Sequence, residues 1–287
     1  MEVTEVYSHD DPNASDVIAQ VANYANHARA MGLPFWIFAE ERKPIGMVVF
    51  GREPIQLLAP VGTLMSFILV ADPQTSREKI REFASEALDF VKRTKAQYAL
   101  AAFPHEREEA IAEFESLGFK EIDDCYEMIY KIDEPFEVSD KIQFNKVERK
   151  EIQDFVRLAK EFLSGAPDTM LNNTLKFILE LPDDFLDVYY KIEDFYFIKE
   201  GEKTVGIVNF DPRTGRISNV GISPEYRRKG YGEQAVRFAL NKLLQNNVKQ
   251  AYLRVHVKNK AAINLYKKIG FLPEARIKTL IWRRTAG

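Results

Sequence analysis

Arg227-Arg228-Lys229-Gly230-Tyr231-Gly232 constrains this chain more than any other stretch, because of what flanks it. Ahead of it, Ile217 to Ile222 reads as an apolar strand closed by Ser223-Pro224. Behind it, Ala235/Val236, Ala239/Leu240 and Leu243/Leu244 recur at helical spacing. A strand, a basic glycine loop and a helix start, in that order, form a cradle for a phosphate. Glycine lets backbone N–H groups turn inward at close range. The unpaired first amides of the helix, and its dipole, add favourable potential for an anion. Two nearby glycines alone make an ordinary turn; the order of elements carries the reading.

A second signal lies further along. Ala251 to Val257 alternates as a strand, with Leu253, Val255 and Val257 set against Arg254, His256 and Lys258. Asn259 then suits a helix N-cap, and Gly270 suits the left-handed position just past the helix end.

With Arg227-x-x-Gly230-x-Gly232 and Asn259-x-x-Ala262-x-x-x-Tyr266 followed by Gly270-Phe271, residues 188–284 resemble the GNAT acyltransferases. The resemblance implies an α/β fold with a mixed, mostly antiparallel sheet and flanking helices. It also implies acetyl-CoA as co-substrate. Arg227, Arg228, Lys229, Gly230, Tyr231 and Gly232 would hold the pyrophosphate, and Asn259 and Ala262 would lie beside the cofactor. Val220, Gly221 and Ile222 would run along the pantetheine arm and offer backbone N–H to the thioester oxygen. Gly221 suits a place where a ligand nears the backbone. Tyr266 would be the general acid, since a phenol of pKa ~10 is protonated at neutral pH and can donate to a leaving thiolate.

The base stays open. Family members often place a glutamate on the strand before the loop, and Gly215-Arg-Ile-Ser-Asn219 has none. His256 has a suitable intrinsic pKa. Ser218 or Asn219 would instead order a water that carries the proton away, and Glu225 follows the strand too late. His9, His27 and His105 share no ligand spacing, so no metal site is expected.

Charge narrows the partner. Residues 201–287 carry 18 Lys+Arg against 5 Asp+Glu, a net +13, while the rest carries −16. Such a basic segment points to a polyanion. The glycine loop favours coenzyme A over nucleic acid, and the segment lacks the aromatic interleaving of single-strand binders. The single Cys125 excludes an internal disulfide and fits a reducing compartment as a small buried hydrophobe. The amino terminus lacks a signal-peptide pattern and no apolar run reaches membrane-span length, so a cytoplasmic protein without a membrane partner is expected.

Residues 63–131 look like a second copy of residues 214–284. Thr63 to Ala71 reads as a strand followed by Asp72-Pro73. Ile80, Phe83/Ala84, Ala87/Leu88 and Val91 form a helical stripe, and Gln97 to Phe103 reads as a strand. Glu108 to Leu117 reads as a helix ending at Gly118-Phe119. Pro73 to Gly118 spans 45 positions and Pro224 to Gly270 spans 46, so the two frames differ by one residue. A hairpin precedes each copy, Phe35–Glu40 with Ile45–Phe50 and Phe195–Lys199 with Val205–Phe210. The chemistry is absent from the first copy. Thr75-Ser-Arg-Glu-Lys79 replaces the glycine loop, Phe114 stands for Tyr266 and Arg107 for Asn259.

The expectation is therefore two tandem GNAT-like domains, cut in the acidic stretch Asp133–Asp140. Residues 1–138 would be a degenerate domain without a cofactor loop, and residues 139–287 the catalytic one. Lys141 to Val147 would open the second domain as a strand. Two helices would follow over Arg149–Phe162 and Met170–Leu181, forming by resemblance a wall of the acceptor site. The expected activity is acetyl transfer from acetyl-CoA to a primary amine of a small molecule or peptide. A non-catalytic acyl-CoA-binding protein is the alternative.

Overall fold

The structure, a computed structural model, describes residues 32–40, 43–53, 55–70 and 75–285, together with 21, 25, 26 and 28–30. Asp72-Pro73, His9, His27 and the amino terminus lie outside the described residues. The fold is mixed α/β. The chain divides into two compact units, residues 1–124 with 277–287, and residues 125–276.

In the first unit, β1 (Phe35–Glu40), β2 (Lys43–Arg52) and β3 (Leu64–Val70) form an antiparallel meander. Helix α1 (Arg77–Arg93) then leads to β4 (Tyr98–Pro104), which runs parallel to β3 from Met65 opposite Tyr98 to Ile68 opposite Ala101. Helix α2 (Glu108–Ser116) follows. The buried face of α1 is Ile80, Phe83, Ala84, Ala87, Leu88 and Val91, the stripe legible in the sequence.

The second unit repeats this order around a larger helical insertion. β6 (Gln143–Lys146), β7 (Asp194–Glu200), β8 (Lys203–Phe210) and β9 (Ile217–Ile222) form an antiparallel sheet. Helices α3 (Ile152–Leu163), α4 (Thr169–Phe177) and α5 (Asp183–Ile192) lie between β6 and β7. Helix α6 (Tyr231–Gln245) connects β9 to β10 (Gln250–His256), and α7 (Lys260–Ile269) follows. Period-two alternation splits β7 between two cores. Phe195 and Phe197 join the α3–α5 side, and Tyr196 and Ile198 join the α6 side. The sequence reading has two helices over 149–181; α5 is a third, announced by Pro182 and its acidic first turn.

The division falls at two points of the chain, where the sequence suggests one, between residues 138 and 139. The cause is long-range strand pairing. β5 (Lys120–Lys131) places Cys125–Lys131 against β10 in the second unit, where Met128 and the following Ile132 are core residues. β11 (Leu272–Arg283) places Ile277–Arg283 against β4 in the first unit, where Leu280 is fully buried. The Asp133–Asp140 stretch is also tied into the second unit. Asn241 on α6 accepts from the Phe136 amide at 2.7 Å and donates to its carbonyl at 2.9 Å.

Candidate active site

β9 and β10 run parallel but meet at one bridge, Arg216 with Tyr252, where the Tyr252 amide donates to the Gly215 carbonyl at 3.0 Å. Beyond it they pair no further among the described residues, so a slot opens between their carboxy-terminal halves. β9 also carries a bulge. Asn209 opposes Asn219 and Phe210 opposes Ile217, which leaves Ser218 as the extra residue at the foot of the slot. A bulge of this kind unpairs a residue and re-aims its side chain.

The glycine loop closes the other end. Gly230 is the N-cap of α6 in the left-handed region, φ 91°, and contributes no side-chain cap. The first backbone bond of the helix is Gln234 to the Gly230 carbonyl. Among the described residues, no amide from Arg228 to Glu233 bonds to an acceptor within the protein, so a row of donors faces outward at a helix start. Arg228 is likewise left-handed, φ 63°, a conformation a non-glycine residue adopts only when its surroundings impose it. The donor set fits a pyrophosphate.

The side chains of the loop divide the work differently from the sequence reading. Arg227 is engaged within the protein, donating from Nε to the Ile222 carbonyl at 3.1 Å and from Nη2 to Phe162 at 2.9 Å. Lys229 lies 4.8 Å from the centre of the Tyr226 ring. Tyr231 is buried with its hydroxyl on Glu200, which with burial pushes the phenol up to about 12, so its backbone is the part that faces a ligand. Gly232 is where three elements converge: a Cβ there would stand 3.2 Å from Leu265 on α7 and 3.8 Å from Ile222 on β9. Glu233 reinforces this by bridging Lys268 at 2.6 Å and Arg237 at 2.7 Å.

Helix α7 begins and ends as its sequence predicts. Asn259 accepts from the Ala262 amide at 3.2 Å as N-cap. Gly270, φ 115°, closes the other end, and the Gly270 and Phe271 amides both donate to the Tyr266 carbonyl. Tyr266 is therefore fixed in the last turn. It is half-buried, its ring centre is 5.9 Å from that of Phe271, and its hydroxyl has no partner among the described residues. Burial pushes its phenol up to about 12, so it holds its proton and can donate it. Val220, Ile222, Ala262, Leu265 and Tyr266 all pack against the same α6-side core, which brings slot, loop and helix together.

Two positions read differently in three dimensions. A Cβ on Gly221 would meet Ile207 at 3.0 Å and Leu163 and Phe162 at 3.2 Å, so this glycine makes room for the end of α3. His256 is buried, and its Nδ1 accepts from the Lys258 amide at 3.1 Å, which commits that nitrogen's lone pair.

The sequence reading missed a buried polar cluster beside the foot of the slot. Glu193, between α5 and β7, is 5% exposed and accepts from Ser218 Oγ at 2.5 Å and from Asn209 Nδ2. Asn209 Nδ2 also donates to the Tyr189 hydroxyl at 2.9 Å, and Asn219 Nδ2 donates to Asn209 Oδ1 at 3.0 Å. Burial pushes the Glu193 carboxyl up, while Ser218, Asn209 and Arg216 pull it down. Only the three-dimensional fold reveals it, since Glu193, after α5, and Ser218, on β9, are far apart in the sequence and meet through side chains.

Residues 168–271 match the pattern of the acetyltransferase (GNAT) family. Mycothiol acetyltransferase of Corynebacterium glutamicum (strain R) is 33% identical over 86 residues, 29% of this chain and 30% of that protein, so less than a third of that relative is matched. A GCN5-related N-acetyltransferase from Sphaerobacter thermophilus has a similar fold, with TM-score 0.63 and 13% identity over 94% of this chain and 86% of that one. A tandem GNAT protein from the clavulanic acid biosynthesis pathway gives TM-score 0.56 at 13% identity, covering 89% and 84%. Among the described residues, no helix is long and apolar enough to cross a membrane.

Proposed function

We propose that this chain, whose residues 168–271 carry the GNAT acetyltransferase pattern, moves an acetyl group from acetyl-CoA to a primary amine of a small molecule or peptide. The observation that carries the reading is the slot between β9 and β10, with free helix-start amides at one end and the unpartnered Tyr266 hydroxyl beside it. The loop amides, with Arg228 and Lys229, would hold the pyrophosphate, and the pantetheine arm would lie along Val220 to Ile222. Backbone N–H groups of β9, freed by the missing β10 partner, would stabilise the oxygen of the attacked carbonyl. Tyr266 would protonate the departing thiolate.

The first unit would be a non-catalytic copy. Its equivalent slot is zipped: β3 and β4 pair at four successive positions. The start of its helix is occupied, since Ser76 caps α1 by accepting from the Lys79 amide at 3.4 Å. The adjacent cations Arg77 and Arg81 both bind Glu113, at 2.7 and 2.8 Å.

Calorimetry with CoA tests the assignment, with one site per chain expected; two equivalent sites would overturn it. Acetyl-CoA turnover over a panel of primary amines tests the chemistry. Binding of acetyl-CoA without transfer to any acceptor would favour a non-catalytic acyl-CoA-binding protein.

A further inference from the structure

We infer that Glu193, acting through the bulged Ser218, is the proton sink for the acceptor amine; the inference rests on the acetyltransferase reading above. Three observations carry it. Ser218 stands two residues past Arg216, where β9 leaves β10; Ile217 between them is buried in the α6-side core, so Ser218 is the first partly exposed β9 residue beyond the bridge. The slot runs from the glycine loop toward Ser218, and a donor anchored at that loop presents its reactive end here. From Ile222 to Ser218 this is about 13 Å of strand at ~3.3 Å per residue.

The second observation is the direction of the hydrogen bonds. Ser218 Oγ donates to Glu193 at 2.5 Å and accepts from Arg216 Nε at 3.2 Å. The hydroxyl is half-buried and the carboxylate behind it is 5% exposed, so the serine is the accessible member of the pair. A hydroxyl already hydrogen-bonded to a carboxylate can accept one proton as it passes on another.

The third is how the carboxylate is held. Burial raises a carboxylate's affinity for a proton unless hydrogen bonds and nearby cations offset it. Glu193 receives two neutral donors, Ser218 and Asn209, while its one cation, the Arg216 guanidinium, stands further off at 3.8 Å. The other charged or titratable groups facing it are Tyr189 from α5 and Asp211 from the β8–β9 turn. Arg213 from that turn is paired with Asp211 at 3.3 Å. Such surroundings leave a carboxylate with affinity for a proton.

The step balances. The amine nitrogen bonds to the thioester carbon and the carbon–sulfur bond breaks. The amine proton passes to Ser218 Oγ as the serine's own proton passes to Glu193. The thiolate takes the hydroxyl proton of Tyr266, and exchange with water restores both residues.

The test uses the full chain and a weakly basic aromatic amine, whose own protonation lies below the range scanned. S218A removes the relay without stranding a buried charge, S218T keeps the hydroxyl, and E193Q removes the sink. The expected result is a kcat lower by roughly 10²-fold in S218A and E193Q, rescue in S218T, and CoA affinity unchanged by calorimetry. The wild type should lose kcat/KM as pH falls through the raised Glu193 value, and S218A should lack that limb. Wild-type kcat and an unaltered acid limb in well-folded S218A and E193Q would overturn the inference alone. If the wild type acetylates no amine while binding acetyl-CoA, the acetyltransferase reading falls, and this inference with it.

Discussion

Arg227 donates from Nη2 to the carbonyl oxygen of Phe162 at 2.9 Å, joining the glycine loop to the last turn of α3. That carbonyl is among the last four of its helix and has no intrahelical partner, and a guanidinium there also complements the helix dipole. With Nε on the Ile222 carbonyl, one side chain fixes the end of β9 against α3. R227A should therefore lower stability by about 1–3 kcal/mol, the scale for hydrogen bonds to a charged group, and weaken CoA binding indirectly. R228A and K229A should weaken CoA binding, with a shallower salt dependence than the wild type and little loss of stability. Urea unfolding alongside calorimetry separates the two outcomes.

Gly230 and Gly232 should fail differently. Nothing lies within 4 Å of a Cβ built on Gly230, but its φ of 91° is one that side-chain-bearing residues avoid. G230A should cost about 1–2 kcal/mol and tilt the first amides of α6. Gly232 has ordinary φ and a 3.2 Å approach to Leu265, so G232A should push α7 away. G232A combined with L265A should recover part of its stability, and G230A with L265A should not. Thermal unfolding of the four variants checks this.

Y266F is the sharpest probe of the acid. The hydroxyl has no partner to lose, so stability should change by less than about 1 kcal/mol. If it protonates the thiolate, kcat falls by roughly 10²-fold with CoA affinity nearly constant. With its phenol raised to about 12, Tyr266 keeps its proton as pH rises past 10, so no alkaline limb below pH 11 should belong to it. Wild-type turnover in Y266F, with chemistry rate-limiting, would remove the role.

Glu113 should govern acid stability of the first unit. Hydrogen bonds from Arg81 and then Arg77 hold its carboxyl down to about 2. A depressed folded-state value contributes stability above the unfolded value, near 4.3, that is lost as pH falls toward 2. E113Q should thus narrow the difference in urea midpoint between pH 5 and pH 2. An unchanged difference would show that the ion pairs contribute nothing.

Local signals made much of this fold legible. Gly118 and Gly270 are both left-handed, and the amides of Phe119 and Phe271 bond to the carbonyls of Phe114 and Tyr266. The correspondence of Phe114 with Tyr266 was thus readable by counting from Gly-Phe. Arg107 and Asn259 likewise share the N-cap position of their helices. The rest depends on residues far apart in sequence. No spacing rule joins Glu193 to Ser218, or Arg227 to Phe162, because each pair joins segments far apart in the sequence. Gly221 shows the converse, a glycine whose packing reason can be seen only once α3 is in place.

The shared ownership of β11 sets an order of biosynthesis. Residues 1–124 leave the ribosome with the β4 edge open, and the strand that covers it, Ile277–Arg283, is made only after residues 125–276. Until then Tyr98–Ala101, apolar and buried in the finished protein, offers an unpaired edge to any neighbouring chain. A nascent chain stalled or truncated before residue 277 should accordingly aggregate through its first unit, although the missing strand is separated from that unit by the whole of residues 125–276.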